Sequence, residues 1–336
     1  MITAITNDNI DLFEHLIPDD LIEDLLIRND FYGLGCIRRD LDGNFDGFGV
    51  LLFVKEYDDG TTVENYHIKW LYVDSSRRGD GIGCELITEL YWDFGNTEVP
   101  TMTVDIPAME EYEGLGNFLG DWHFQFLPTY TVDFEMPLTD LKKNKYFSKA
   151  TKDTVIKGVV PLKDVEEKSL KYFLSQIRKK AIKRGLYVDT MLTEYDKDYF
   201  DPNISTAVVK NGFVEGAMLV HVRPSGRLEI VVFDTLQDNK KMYLMRMLNK
   251  SYQAALASKI KNARVYHKCY NERGMDFIDG LFGTHATPYV MRGMIENTSI
   301  ALSSEEWEEI KEEYWRDNPD LYKDVKAIVT GERHIV

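Results

Sequence analysis

The fold is decided by the stretch Ile68-Lys69-Trp70-Leu71-Tyr72-Val73-Asp74, followed by Arg77-Arg78-Gly79-Asp80-Gly81-Ile82-Gly83 and then Cys84-Glu85-Leu86-Ile87-Thr88-Glu89-Leu90-Tyr91-Trp92. An apolar run, a glycine-rich turn and an amphipathic segment in that order predict strand, turn, helix. A glycine turn that opens a helix presents several backbone N–H groups free of side chains, with the positive end of the helix dipole behind them. That is a seat for a diphosphate. The spacing lacks the Gly-x-x-x-x-Gly-Lys-Ser/Thr of a P-loop and the Gly-x-Gly-x-x-Gly of a dinucleotide fold.

What is present is Arg78-x-x-Gly81-x-Gly83 after Leu71-Tyr72-Val73. This resembles the coenzyme A loop of the GNAT-type N-acetyltransferases, which read Gln/Arg-x-x-Gly-x-Gly/Ala after a Leu-Tyr-Val strand. The resemblance implies acetyl-CoA as the cofactor, held by Arg78, Gly79, Asp80, Gly81, Ile82 and Gly83, with the backbone of Leu71, Tyr72 and Val73 holding the carbonyl and pantetheine. It implies no metal. Asp80 departs from the family's basic or neutral residue and is expected to point outward. The base is expected four or six residues before Val73, at Lys69 or His67, which a period of two places on one strand face. His67 is preferred because imidazole titrates near neutrality; Glu64 and Asp105 are substitutes. The thiolate acid, often a tyrosine in relatives, falls at Leu119 or Phe118 here, so Tyr112 or Tyr130 is expected to serve, or water.

The surrounding segments fit the resemblance. Residues 8–27 read as helices, 32–38, 49–56 and 63–73 as strands joined at Asp42-Gly43-Asn44 and Asp58-Asp59-Gly60, then helix 84–93, strand 102–106, helix 110–120 and a last strand 130–136. With an offset near 160 the pattern recurs: a hairpin at Asn211-Gly212, a strand 227–234 ending on the same aspartate as 67–74, helix 240–257, strand 263–268 and 288–292 for 128–133. The loop does not recur. Asp238-Asn239-Lys240-Lys241-Met242-Tyr243 has no glycine, with Tyr243 expected at Gly83's place, so one coenzyme site per chain is expected.

The expected architecture is therefore α/β, two tandem acetyltransferase-like domains, each a mixed, mostly antiparallel sheet flanked by helices. Residues 1–141 would form the first, 150–300 a degenerate second, and 303–336 an acidic helical tail, with 139–149 as linker. A chain of 336 residues with 44% apolar content can bury two cores. No leader-like start or membrane-length apolar run is read, and Cys36, Cys84 and Cys269 are isolated, which predicts a cytoplasmic protein.

Residues 1–140 hold 29 Asp and Glu against 7 Lys and Arg, whereas 141–302 hold 17 against 28. Opposite halves should attract, and the acidic first half suggests a cationic small molecule or peptide bearing a primary amine as acceptor. The basic run 171–184 reads as a core helix with a basic outer face rather than a nucleic-acid or membrane site. Acetyl transfer is the leading reading; a non-catalytic acyl-CoA sensor or scaffold is the other. On this division a fragment of residues 1–145 would retain coenzyme binding.

Overall fold

The computed structural model describes residues 1–40, 42–57, 62–107, 110–128, 132–143, 147, 158–183, 197–237, 241–269, 279–280 and 290–297. Tyr130, Lys240 and the tail 303–336 lie outside the described residues, so expectations about them are untouched. In the first half, β1 (Ile2–Ala4) and two short 3-10 turns precede α1 (Asp19–Ile27), β2 (Phe31–Arg39), β3 (Phe45–Tyr57), β4 (Val63–Val73), α2 (Ile82–Gly95), β5 (Thr101–Pro107), α3 (Glu113–Asp121), β6 (Gln125–Pro128) and β7 (Val132–Pro137). The second half runs β8 (Val159–Pro161), α4 (Glu167–Ile182), β9 (Thr206–Lys210), β10 (Phe213–Val222), β11 (Arg227–Thr235), α5 (Lys241–Ser258), β12 (Arg264–Cys269) and β13 (Val290–Glu296). Asn211 and Gly212 close the β9–β10 hairpin with φ of 52° and 80°, the left-handed pair an Asn-Gly turn adopts.

Two mostly antiparallel sheets result. Their single parallel pairs, β4 with β5 and β11 with β12, are the strands on either side of a crossover helix. Apolar residues on both faces of each sheet demand cover on both. In the first sheet Leu51, Phe53, Tyr66 and Ile68 face Leu86, Leu90 and Phe94 of α2, while Val50, Leu52 and Val54 face Phe13, Leu16 and Ile17. In the second, Met218 and Ile230 face α5, and Ala217 and Leu219 face Leu170, Phe173 and Leu174 of the basic helix α4. The apolar stripe of α4 is buried as the sequence predicts.

The sheet order corrects the domain division. The first sheet reads β1-β2-β3-β4-β5-β13-β6 and the second β7-β12-β11-β10-β9-β8. The copies have exchanged their last strands. β13 lies between β5 and β6, pairing from Val290 opposite Pro107 to Glu296 opposite Thr101, and β7 pairs with β12 from Val132 opposite Cys269 to Pro137 opposite Arg264. Residues 1–141 and 150–300 are thus not two closed units. The linker also contributes to the second core, because Leu141 and Phe147 are buried there and Phe147 packs edge-on against Tyr252 at 5.1 Å.

The internal alignment shifts too. The Asp74 N–H donates to Phe48 O, one residue before Gly49, and the Leu236 N–H donates to Glu215 O, one residue before Gly216. Leu236, not Asp234, is therefore the counterpart of Asp74. Each strand carries a bulge, at Lys69 opposite the Leu52/Phe53 step and at Val231 opposite the Leu219/Val220 step. A bulge adds a residue without a partner and leaves no mark in an apolar pattern.

Charge complementarity between the halves is realised at α1. Arg223 is buried and donates to Asp24 at 2.6 Å, Glu23 at 3.1 Å and Glu229 at 2.6 Å; His221 Nε2 lies 3.0 Å from Glu23, and Arg227 lies 3.7 Å from Asp20.

Candidate functional site

The site begins where β4 and β5 part. Parallel pairing runs from Asn65 opposite Thr101 to Ile68 opposite Val104 and stops, although β4 continues to Val73 and β5 to Pro107. On its other side β4 stays bonded to β3 up to Val73 opposite Gly49. The Asp74 N–H points to β3. By the alternation of an antiparallel ladder the Tyr72 N–H does so as well, and those of Leu71 and Val73 face the opening. Of the three backbone positions expected to hold a carbonyl, two are free to do so and Tyr72 is not.

The loop sits at the mouth of this opening. Asp74 accepts from the Ser76 N–H at 2.8 Å and starts the 3-10 turn Ser75–Arg77. Arg77 anchors the turn, donating to Arg39 O at 2.7 Å and lying 4.8 Å over the Phe48 ring; Arg78 Nε donates to Val73 O at 3.3 Å. Gly79 and Gly81 have φ of 91° and 78°, and Gly81 caps α2. Among the described residues none accepts from the N–H groups of Gly79, Gly81, Ile82 or Gly83. Ile82 itself is buried, so it offers only its backbone. Asp80 is more than half exposed, 3.7 Å from Arg77, and points outward. Gly49, unremarked in the sequence, lets α2 come this close: a Cβ there would lie 2.5 Å from Ile82 Cγ2. These bare donors at a helix start, beside a strand with free amides, fit the diphosphate and pantetheine of coenzyme A.

The candidate catalytic residues are placed less simply. His67 is buried, with Nδ1 2.9 Å from Thr103 Oγ1 and Nε2 3.9 Å from Asp105 Oδ2. Asn65 Nδ2 donates to Glu56 at 2.8 Å and to Thr103 Oγ1 at 2.6 Å, which aims the Thr103 proton at His67 Nδ1 and leaves Nε2–H facing Asp105. Burial, then the charges of Lys69, Lys268 and Arg292, push the imidazole well below its ordinary pKa, with Asp105 only partly opposing them. The ring is uncharged at neutral pH. Lys69 is the bulge residue and does not share a simple alternating face with His67.

Asp105 is tied on three sides. Arg292 donates to it through Nε at 2.8 Å and Nη2 at 3.0 Å, and Lys268 Nζ lies 3.0 Å away. Burial favours its neutral form, yet the hydrogen bonds from Arg292 and the charges of Lys268 and Arg292 outweigh it and hold the carboxyl far below the usual range. Held in this way, Asp105 is a weaker base than an ordinary carboxylate. Both cations belong to the second half: the strand exchange places Arg292 beside Asp105, and Lys268 reaches across from β12 of the second sheet; no spacing in the sequence announces them. Replacing Asp105 by Asn should cost about 3–5 kcal/mol by stranding them. The depressed pKa also sets a pH signature: the stabilisation is complete above the unfolded carboxyl value of about 3.9 and fades as pH falls below it. Urea titrations at pH 7 and pH 3 should therefore give a smaller difference between wild type and Asp105→Asn at the lower pH.

Phe118 stands beside the loop, its Cζ 3.4 Å from where a Gly83 Cβ would be, and Leu119 is fully buried. Neither carries a hydroxyl. Tyr112 caps the start of α3, six residues from Phe118 and so about 9 Å along the axis.

The second copy repeats the divergence, since β11 and β12 pair only to Glu229 opposite Tyr266. There His267 Nδ1 bonds Ile230 O at 2.9 Å, and Lys180 Nζ holds Thr235 O at 2.9 Å and Asp234 at 3.2 Å. The burial phase of the helices matches Leu86, Ile87, Leu90 and Tyr91 with Met247, Leu248, Ser251 and Tyr252. That puts Met242 at Gly81's place and Leu244, not Tyr243, at Gly83's.

The chain matches no family model and no curated protein sequence. Solved structures do match. A tandem GNAT protein from the clavulanic acid biosynthesis pathway aligns at a TM-score of 0.57 and 13% identity over 88% of this chain and 99% of its own. The fold is that of a tandem GNAT protein. The same GNAT fold is found in a GCN5-related N-acetyltransferase from Sphaerobacter thermophilus, at 0.54 and 11% over 88% of this chain and 95% of that one. A glucosamine N-acetyltransferase region of a fungal multi-domain β-N-acetylglucosaminidase aligns at 0.57 and 14%, over 88% of this chain and 38% of that one. In the GNAT fold described here, no helix among the described residues is long and apolar enough to cross a membrane.

Proposed function

We propose that the chain is an acyltransferase that moves an acetyl group from acetyl-CoA to a primary amine, using the first copy alone. One observation carries this reading: the bare N–H groups of Gly79, Gly81, Ile82 and Gly83 stand at the mouth of the β4/β5 opening, into which Leu71 and Val73 turn their amides. Acetyl-CoA bound there supplies an activated thioester carbonyl. The amides of Leu71 and Val73 are the donors for its oxygen, and such donors are worth most where charge develops. The amine nitrogen bonds to the carbonyl carbon, the C–S bond breaks, and the nitrogen gives up a proton. His67, uncharged and beside the fork, is the residue proposed to take it; the thiolate needs no placed acid, since its pKa lets water protonate it.

For His67 to act, the Thr103 hydroxyl must turn from Nδ1. That requirement, with Phe118 and Leu119 in the usual place of a tyrosine, favours a second reading: a protein that binds acyl-CoA without transferring it. The variants separate the two. His67→Ala should lower turnover by about 10² or more with coenzyme binding unchanged. Thr103→Val, which frees Nδ1, should leave turnover within a few-fold. Thiol release from acetyl-CoA is the measurement, across polyamines, aminoglycosides and amino acids; binding without release from any acceptor establishes the second reading.

A further inference from the structure

The strand bulge at Lys69 decides what stands next to His67. β4 pairs with β3 as His67 opposite Val54, Ile68 opposite Phe53, Trp70 opposite Leu52 and Tyr72 opposite Val50, so Lys69 is the extra residue. Val54, Leu52 and Val50 all belong to the cluster around Phe13 and Ile17 on the α1 side of the sheet. Residues directly opposite in an antiparallel ladder share a face, which makes His67, Trp70 and Tyr72 successive neighbours on that side. Strict alternation from His67 would have put Lys69 there and turned Trp70 to α2; the added residue reverses the phase. A row therefore runs from the imidazole through two aromatic rings. Trp70 and Tyr72 stack at 6.0 Å with planes 15° apart, and Arg78 lies 5.6 Å over Tyr72 at the far end.

This row borders the place where acyl transfer would occur. Leu71 and Val73, whose amides are the donors for the thioester carbonyl, pack their side chains toward α2, so the rings between and beside them flank that carbonyl on the α1 side. Both rings are only partly buried. The Trp70 indole N–H is already given to Leu16 O at 2.9 Å, which leaves the side chain offering ring surface and no donor. Leu21, Ile22 and Leu25 of α1 are likewise partly buried against the same cluster, whereas Asp20, Glu23 and Asp24 of that helix are engaged by the second half. The wall beside His67 is apolar and aromatic.

We propose, resting on the transferase reading, that the acceptor is a primary amine on a short carbon chain that ends in an aromatic ring. Its amine end meets His67 and the thioester, and its ring lies along Trp70 and Tyr72. Aromatic rings attract one another in offset or edge-on contact beyond what burial of their area supplies. A polyamine or aminoglycoside would instead bring charged or hydroxylated groups against this wall and lose their hydration without replacement.

The test compares amines that differ only at the far end of the chain: ethylamine, phenethylamine, tryptamine and, as a ring without a π face, cyclohexylethylamine. Thiol release from acetyl-CoA should give the two aromatic amines a kcat/KM roughly 10-fold or more above the other two, equivalent to about 1.4 kcal/mol. Calorimetric titration of the coenzyme A complex should rank the four in the same order. Trp70→Leu should erase the preference, bringing phenethylamine down to the level of cyclohexylethylamine, and Trp70→Phe should restore most of it. Coenzyme A binding and the melting midpoint check that both variants fold; if neither does, the wild-type comparison decides by itself. Equal or faster release with ethylamine or cyclohexylethylamine overturns the aromatic acceptor and leaves the transferase intact. Release with none of the amines, coenzyme A still binding, overturns both.

Discussion

A fragment of residues 1–145 is expected neither to fold cooperatively nor to bind acetyl-CoA. It lacks β13, so β5 loses its antiparallel neighbour over seven paired positions and β6 loses the strand that attaches it to the sheet. Ile295 leaves the core. Asp105 is left without Arg292 and Lys268, so the ion pairs that tie β5 to β13 and β12 are lost. β7 meanwhile is present without its sheet, and Phe134 and Met136, buried in the intact chain, become an exposed apolar edge. The geometry also specifies a rescue. Because Pro128 of β6 lies opposite Met291 of β13, a chain of residues 1–128 joined through a short turn to 290–297 closes the first sheet as a hairpin. That chain should give a single unfolding transition and regain measurable coenzyme binding. Circular dichroism melts and calorimetry on both chains decide the matter. Wild-type affinity in the 1–145 fragment would show that the exchanged strand is dispensable.

Replacement of Gly81 by Val should weaken acetyl-CoA binding by at least 10²-fold, a loss of about 2.7 kcal/mol. At φ of 78° a β-branched residue is strained by about 1–2 kcal/mol or more. Its side chain also stands among the N–H groups that a diphosphate must approach. Gly83→Leu should be comparably damaging, since the longer side chain must enter either the Phe118 ring or the space over the loop. Lys241→Ala, at the start of α5, should leave binding unchanged. Titration of the intact chain should show one site. Two equivalent sites, or a Gly81→Val variant binding within threefold of wild type, would place the coenzyme elsewhere.

The contrast between these predictions follows what a linear sequence can carry. The loop was legible because its determinants are contiguous: apolar alternation into Val73, two glycines that tolerate positive φ, and an amphipathic run after them. The exchange was not. Val132-Asp133-Phe134-Glu135-Met136 and Val290-Met291-Arg292-Gly293-Met294-Ile295 both read as strands, and periodicity says nothing about which of two related sheets each joins. The strand bulges were silent for a similar reason, and a shared aspartate set the internal alignment two residues away from the register that the hydrogen bonds show. Charge was legible in total and not in arrangement, because a sum does not reveal that Asp20, Glu23 and Asp24 of α1 are engaged by the second half. The catalytic candidates were the least legible: position nominates His67, but of the residues that surround it only Asn65 shares its strand, while Thr103, Lys268 and Arg292 come from β5, β12 and β13.

The placement of β13 has a temporal consequence. Its partner strand β5 leaves the ribosome roughly 180 residues earlier, which at 5–20 residues per second is about 10–40 s. Through that interval the nascent first sheet has an open seam between β5 and β6, lined by Met102, Val104 and Ile106, and β7 waits for β12 over roughly 130 residues, about 7–26 s at the same rate. The Gly79–Gly83 loop is synthesised early, but its scaffold closes only after β13 has been made. Substitutions that slow pairing of the last strand should therefore reduce yield in the cell more than they reduce the stability of protein already folded.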